Sequence, residues 1–134
     1  MSTVTFEYAV IRVVPRVDRG ESMNAGVLVY SQQGQYLGCA VSLDRDRLRA
    51  LDPDADADAV EEALRSLTDV CLDDGSQPAS AEEIGRRFRW LTAPRSTIVQ
   101  PGPIHTGLTA DPAGEPERLL RLLVRPIGGS TAAR

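Results

Sequence analysis

The sequence predicts an α+β domain: a three- to four-stranded, mainly antiparallel sheet with about four helices and a long Pro/Gly-rich loop. Three observations lead there. Period-two apolar runs rich in β-branched residues are joined by short turns near the N-terminus, which is the pattern of a strand meander. Apolar positions then recur at helical spacing behind capping residues. Strands and helices fall in separate halves of the chain, which favours α+β over a repeated βαβ alternation.

Residues 5–14, TFEYAVIRVV, place Ala9, Ile11 and Val13 on one side and Tyr8, Val10, Arg12 and Val14 on the other. This reads as a well-buried strand, limited by Pro15. Asp18-Arg19-Gly20 is a turn in which Gly20 is free to take a positive φ. Residues 24–30 form a second strand. After the Gln32–Gln35 turn, residues 36–43 alternate again, with Leu37, Cys39, Val41 and Leu43 on one face.

Asp44 is placed to cap a short helix over 45–51, ended by Asp52-Pro53. Asp58 with Glu61 has capping-box spacing and opens a helix over 59–72, whose stripe is Val60, Leu64, Leu67 and Cys71. Asp73–Pro78 reads as an exposed loop. Ser80 with Glu83 opens a third helix over 81–91, buried through Ile84, Phe88 and Leu91. Residues 92–110 carry three prolines and two glycines and read as the long loop, in which only Ser96–Gln100 could form a short strand. Pro116 suits the first turn of a last helix over 115–125, and Pro126 stops it. One domain over 1–126 with a tail over 127–134 follows, the helices packing on one face of the sheet.

Composition narrows the function. All fifteen basic residues are arginine, nineteen are acidic, and the net charge is -4. Lysine chemistry is excluded outright, and a generic net-basic nucleic-acid binder is disfavoured. The lack of lysine itself reads as codon bias. No apolar run reaches the roughly 18 residues of a membrane span, and the N-terminus has no signal-peptide layout. A cytoplasmic chain is expected, with Cys39 and Cys71 as small core residues rather than ligands. One histidine cannot build a multi-histidine site. The acidic run Asp52, Asp54, Asp56, Asp58 is no EF-hand: a loop starting at Asp54 would put Ala59 where glycine is needed and Arg65 where the bidentate glutamate is needed. No metal and no cofactor are expected.

The chemistry concentrates in residues 84–110. That stretch holds Arg86, Arg87, Arg89 and Arg95 with no acidic residue, so it carries +4 while the rest of the chain sums to -8. It also contains the only tryptophan, Trp90, and the only histidine, His105. Arginine forks bind carboxylates and phosphates and stack on rings. Arg86 and Arg89, three apart, share a helix face from which Arg87 points away. Arg86, Arg89, Trp90, Arg95, Ser96, His105 and Thr106 are therefore the candidate binding residues. Three uses fit them: a docking site for a protein partner with Trp90 as anchor; an anion pocket or small enzyme with Arg95 as clamp, His105 as acid/base and Ser96 as nucleophile; or a basic nucleic-acid patch. A bland alternative pairs the arginines with carboxylates of the first half and buries Trp90 in the core.

YAVIRVVPRVDRGESMNAGVLVY, LRALDPDAD and the RFRWLTAPRS…VQP…HTGL signature, spanning about residues 6 to 126, resemble a bacterial family of domains of unknown function. Glu21, Asn24 and Gly26 match that family's glutamate–x–x–asparagine–x–glycine pattern. The resemblance implies a small cytoplasmic protein often encoded beside a HipA-like kinase, hence an accessory or regulatory partner of such a kinase. It supplies no catalytic residues. The expected function is thus a non-catalytic binding module. The sequence leaves its oligomeric state and strand order open.

Overall fold

A computed structural model describes residues 2–72 and 80–127. The loop expected over 73–78 and the tail after Ile127 lie outside the described residues. The elements are β1 (Val4–Val13), β2 (Met23–Ser31), β3 (Tyr36–Val41), α1 (Arg45–Leu51), α2 (Ala57–Leu72), α3 (Ala81–Leu91), β4 (Val99–Thr109), a 3-10 turn (Pro112–Gly114) and α4 (Glu115–Leu119), which runs into a π-helical turn (Leu120–Val124). The architecture is α+β. The four strands form one antiparallel open sheet in the order β3-β2-β1-β4.

The first three strands are the meander their alternation predicts, and Gly20 turns between β1 and β2 with φ 73°. The alternation of β1 divides the protein into two cores. Ile11 and Val13 join Met23, Ala25, Leu28 and Tyr30 beneath α1, α2 and α3, through Leu48, Leu64, Phe88 and Leu91. Phe6 joins Val27 and Val29 beneath Leu119, Leu120 and Val124. The helices therefore do not all lie on one face: the C-terminal helix covers the opposite one. The leucine pattern of residues 119–124 shows an apolar stripe but carries no information about which side of the sheet receives it.

Local chemistry sets most boundaries. The Asp44 carboxylate accepts from the Asp46 and Arg47 amides, each at 3.1 Å. The Ser80 hydroxyl accepts from the Glu83 amide at 3.0 Å. At α2 the cap is Asp56 rather than Asp58: its carboxylate takes the Ala59 amide at 3.0 Å and its carbonyl takes the Val60 amide. Both aspartates have the right chemistry, and Asp58 is drawn instead into an ion pair with Arg45 at 2.9 Å. The last helix ends with the Arg125 amide on the Leu120 carbonyl. Asn24 donates to the Leu123 carbonyl at 2.9 Å and Arg47 to that of Val124, satisfying carbonyls that a helix end leaves open.

The largest departure from the sequence reading is β4. Residues 99–109 are an eleven-residue strand paired along β1, from Val13↔Val99 to Val4↔Thr109. The long loop shrinks to the few residues between α3 and Val99. Two physical facts hid the strand. Between Ala9 and Ile11 of β1, β4 carries one extra residue, a bulge that breaks the period-two pattern. Pro101 and Pro103 also argue against a strand, yet β4 is an edge strand, where a missing donor is tolerated.

Gly26 fills a position with no room for a side chain. A Cβ there would lie 2.8 Å from the Ala40 carbonyl oxygen and 2.9 Å from Val41 Cγ1. Gly26→Ala should therefore push β2 and β3 apart and cost about 1–3 kcal/mol. Urea unfolding measures it, and a loss below about 0.5 kcal/mol, the level of an ordinary surface change, would contradict the contact.

Candidate functional site

The site begins with the periodicity of α3. Ile84, Phe88 and Leu91 turn inward, and Phe88 stacks on Tyr30 with ring centroids 5.0 Å apart. Trp90 is consequently turned out and stands 59% exposed, so it does not fill the core. The helix stops where the Thr92 hydroxyl donates to the Phe88 carbonyl at 2.8 Å. The chain then folds back, and the Arg95 guanidinium lies 4.6 Å from the centre of the Trp90 ring while donating to the Trp90 carbonyl. Arg95 thereby caps the helix C-terminus and makes a cation–π contact.

Apolar surface surrounds this pair. One depression, of about 190 Å³, is lined by Leu67, Val70, Trp90, Leu91 and Arg95. A second, of about 480 Å³, is lined by Val17, Ala59, Val60, Ser96 and Ile98. The two share Ala63, Thr97 and Val99. Val17, Val70 and Ile98 are all exposed here. Sequence reasoning did not join them because Val17, Val70 and Ile98 lie in three separate segments of the chain.

The arginines divide. Arg87 pairs with Glu83 at 3.2 Å and is largely covered. Arg89 lies 5.6 Å from the ring centres of both Tyr30 and Phe88 and pairs with Glu7 at 3.2 Å. That exposed bridge contributes under about 1 kcal/mol, but it turns Arg89 toward the sheet. Arg86 and Arg95 have no carboxylate partner among the described residues. The local excess of positive charge is thus half answered, by one acid just outside the stretch and one from β1. Glu7 went unnoticed in the sequence because it lies 82 residues away from Arg89.

His105 and Thr106 do not join this surface together. Adjacent strand residues face opposite ways. His105 pairs with Tyr8, rings 5.2 Å apart, on the α4 side of the sheet, whereas Thr106 pairs with Glu7 on the α3 side. Ser96 precedes β4 and lines the apolar depression. The strand between Val99 and His105 spans on the order of 20 Å at about 3.3 Å per residue. Arg95, Ser96 and His105 therefore do not converge as clamp, nucleophile and base.

The other polar groups have local duties. Asp52 caps its own turn and meets Arg16 at 3.5 Å, Asp56 caps α2 and Asp58 pairs with Arg45. Glu21 pairs with Arg19 at 2.8 Å. Cys39 and Cys71 are free thiols within the larger core. Hydrogen bonding to Cys39, aided by burial, pushes the Cys71 thiol far up. Among the described residues no cluster of His, Cys, Asp and Glu could hold a metal ion, and no helix is long and apolar enough to cross a membrane.

A family model described as "Protein of unknown function (DUF3037)" matches residues 8–124. No curated protein and no solved structure matches the chain.

Since Trp90 is the only tryptophan, its fluorescence reports on this surface alone. Iodide should quench it more strongly than caesium, because Arg86 and Arg95 draw anions. Arg95→Ala should lower the iodide effect about two-fold. Equal quenching by both ions would show that no local positive field exists.

Proposed function

We propose that this chain, which belongs to the DUF3037 family of proteins of unknown function, is a non-catalytic binding module that docks a protein partner at the C-terminal end of α3. The observation that carries this reading is the exposed Trp90 stacked on Arg95 at the rim of an apolar depression. Exposing a tryptophan ring is unfavourable in water, and Trp and Arg are the residues most enriched at interface hot spots. The Arg95 stack holds the ring in place, so little side-chain freedom is lost on association. Val17, Val70 and Ile98 supply apolar area around it, and Arg86 supplies positive charge beside it.

A HipA-like kinase, the partner that the sequence resemblance implies, is the first to test, with an acidic patch facing Arg86 and Arg95. Arg86 and Arg95 also support a second reading, a small anion as ligand, since both keep donors free of carboxylates. Nucleic acid is the weaker use of the same charges, given the net charge of -4.

Co-expression with a HipA-like kinase tests the proposal. A stable complex is expected. Trp90→Ala or Arg95→Ala should each weaken it at least ten-fold, the loss of a hot spot of about 1.4 kcal/mol or more, while circular dichroism shows each variant still folded. No complex under gentle conditions, or one indifferent to both substitutions, would end the kinase-partner reading. Binding of DNA or RNA that falls steeply with salt would replace it with a phosphate-backbone reading.

A further inference from the structure

β3 and β4 are the outer strands of the sheet. β3 has six residues and β4 has eleven. Natural proteins protect edge strands by shortness, by proline, by bulges or by charge, because an open edge presents unpaired N–H and C=O groups. The first half of β4 has such protection in Pro101, Pro103 and the bulge. The second half, Ile104 to Leu108, has none. It contains no proline, no arginine and no carboxylate. Ile104, Thr106 and Leu108 share one face, and the two apolar members are 42% and 71% exposed.

We propose that this open edge pairs with the same edge of a second copy of the chain, antiparallel, about a two-fold axis through Thr106. The occupant follows from the self-complementarity of the five residues. In this register Ile104 faces Leu108 of the second copy, Leu108 faces its Ile104, and Thr106 faces Thr106. A shift by two residues in either direction leaves at least one exposed apolar residue opposite a threonine or an alanine. The Thr106 register alone joins both apolar pairs, which are the unit of stabilisation between strands. Charge agrees with it: the edge is neutral apart from His105, so identical copies meet without repulsion, whereas an acidic or basic segment would find no counter-charge on the strand.

On the other face His105, already beside Tyr8, meets Gly107 of the second copy, over which that copy's Phe6 ring packs. The aromatic row Phe6–Tyr8–His105 thereby continues from one sheet into the next. The result is an eight-stranded sheet. The Trp90–Arg95 surface, reached through the opposite end of β4, stays outside the pairing, so the dimer would present it twice.

Five residues per strand make a small contact, at the low end of interface size, so a Kd on the order of 10–100 μM is expected. Sedimentation velocity of the intact chain from about 5 to 500 μM should show a shift from 14.5 kDa to twice that mass over this range. Thr106→Arg and Thr106→Glu, both at an exposed position, should each give monomers, because like charges would then face each other across the axis. Mixing the two variants should restore association as a heterodimer. Leu108→Ser should weaken the dimer about ten-fold, and circular dichroism confirms that each variant is folded. Trp90→Ala should leave the dimer intact, which separates this inference from the docking proposal. A chain that stays monomeric throughout, a dimer that survives both Thr106 variants, or a mixture that fails to associate would each overturn it.

Discussion

The pairing of β1 with β4 is the constraint on which the arrangement of the molecule turns. β1 is held on both edges, by β2 and by β4. Its alternating side chains feed both cores, with Ile11 and Val13 toward α1–α3 and Phe6 toward α4. Because β4 follows β1 in register, Glu7 sits across from Thr106 and within reach of Arg89, and Tyr8 sits across from His105. A slip of one residue would exchange the two faces. The bulge opposite Val10 lets the prolines of β4 be absorbed without losing the ladder on either side.

That pairing also sorts the arginines. Lysine-free composition suggests an unusual charge chemistry, but the side chains show ordinary work: helix caps, short ion pairs and bridges to carboxylates on neighbouring elements. What distinguishes the end of α3 is the way Arg95 is used. It closes the helix, stacks on Trp90 and has no carboxylate partner among the described residues. A charged group satisfied by a ring face and a carbonyl keeps donors to spare. Beside it lie the apolar depressions that share Ala63, Thr97 and Val99.

Much of the fold was legible in the sequence because its signals are local. The three N-terminal strands show period two, and Asp44 and Ser80 have capping chemistry next to helical stripes. The inward Ile84, Phe88 and Leu91 spacing, seen in the sequence, already implies that a residue at position 90 points away from them. The illegible part has identifiable causes. A bulge erased the periodicity of β4, prolines imitated a loop, and Asp56 and Asp58 offered two equivalent caps. The candidate residues all lie in one segment, but a strand in that segment necessarily sends His105 and Thr106 to opposite faces.

By itself the sequence determined the α+β class, the meander, the three middle helices and the concentration of Arg and Trp after Ile84. These depend on residues within a few positions of one another. Only the tertiary structure decided that β4 exists, that α4 covers the far face, and which arginines are answered. Those outcomes rest on partners far apart in the chain, such as Glu7 with Arg89 and Asn24 with Leu123, separated by 82 and 99 residues. Pattern within a short window cannot register a contact whose two halves lie at opposite ends of the chain.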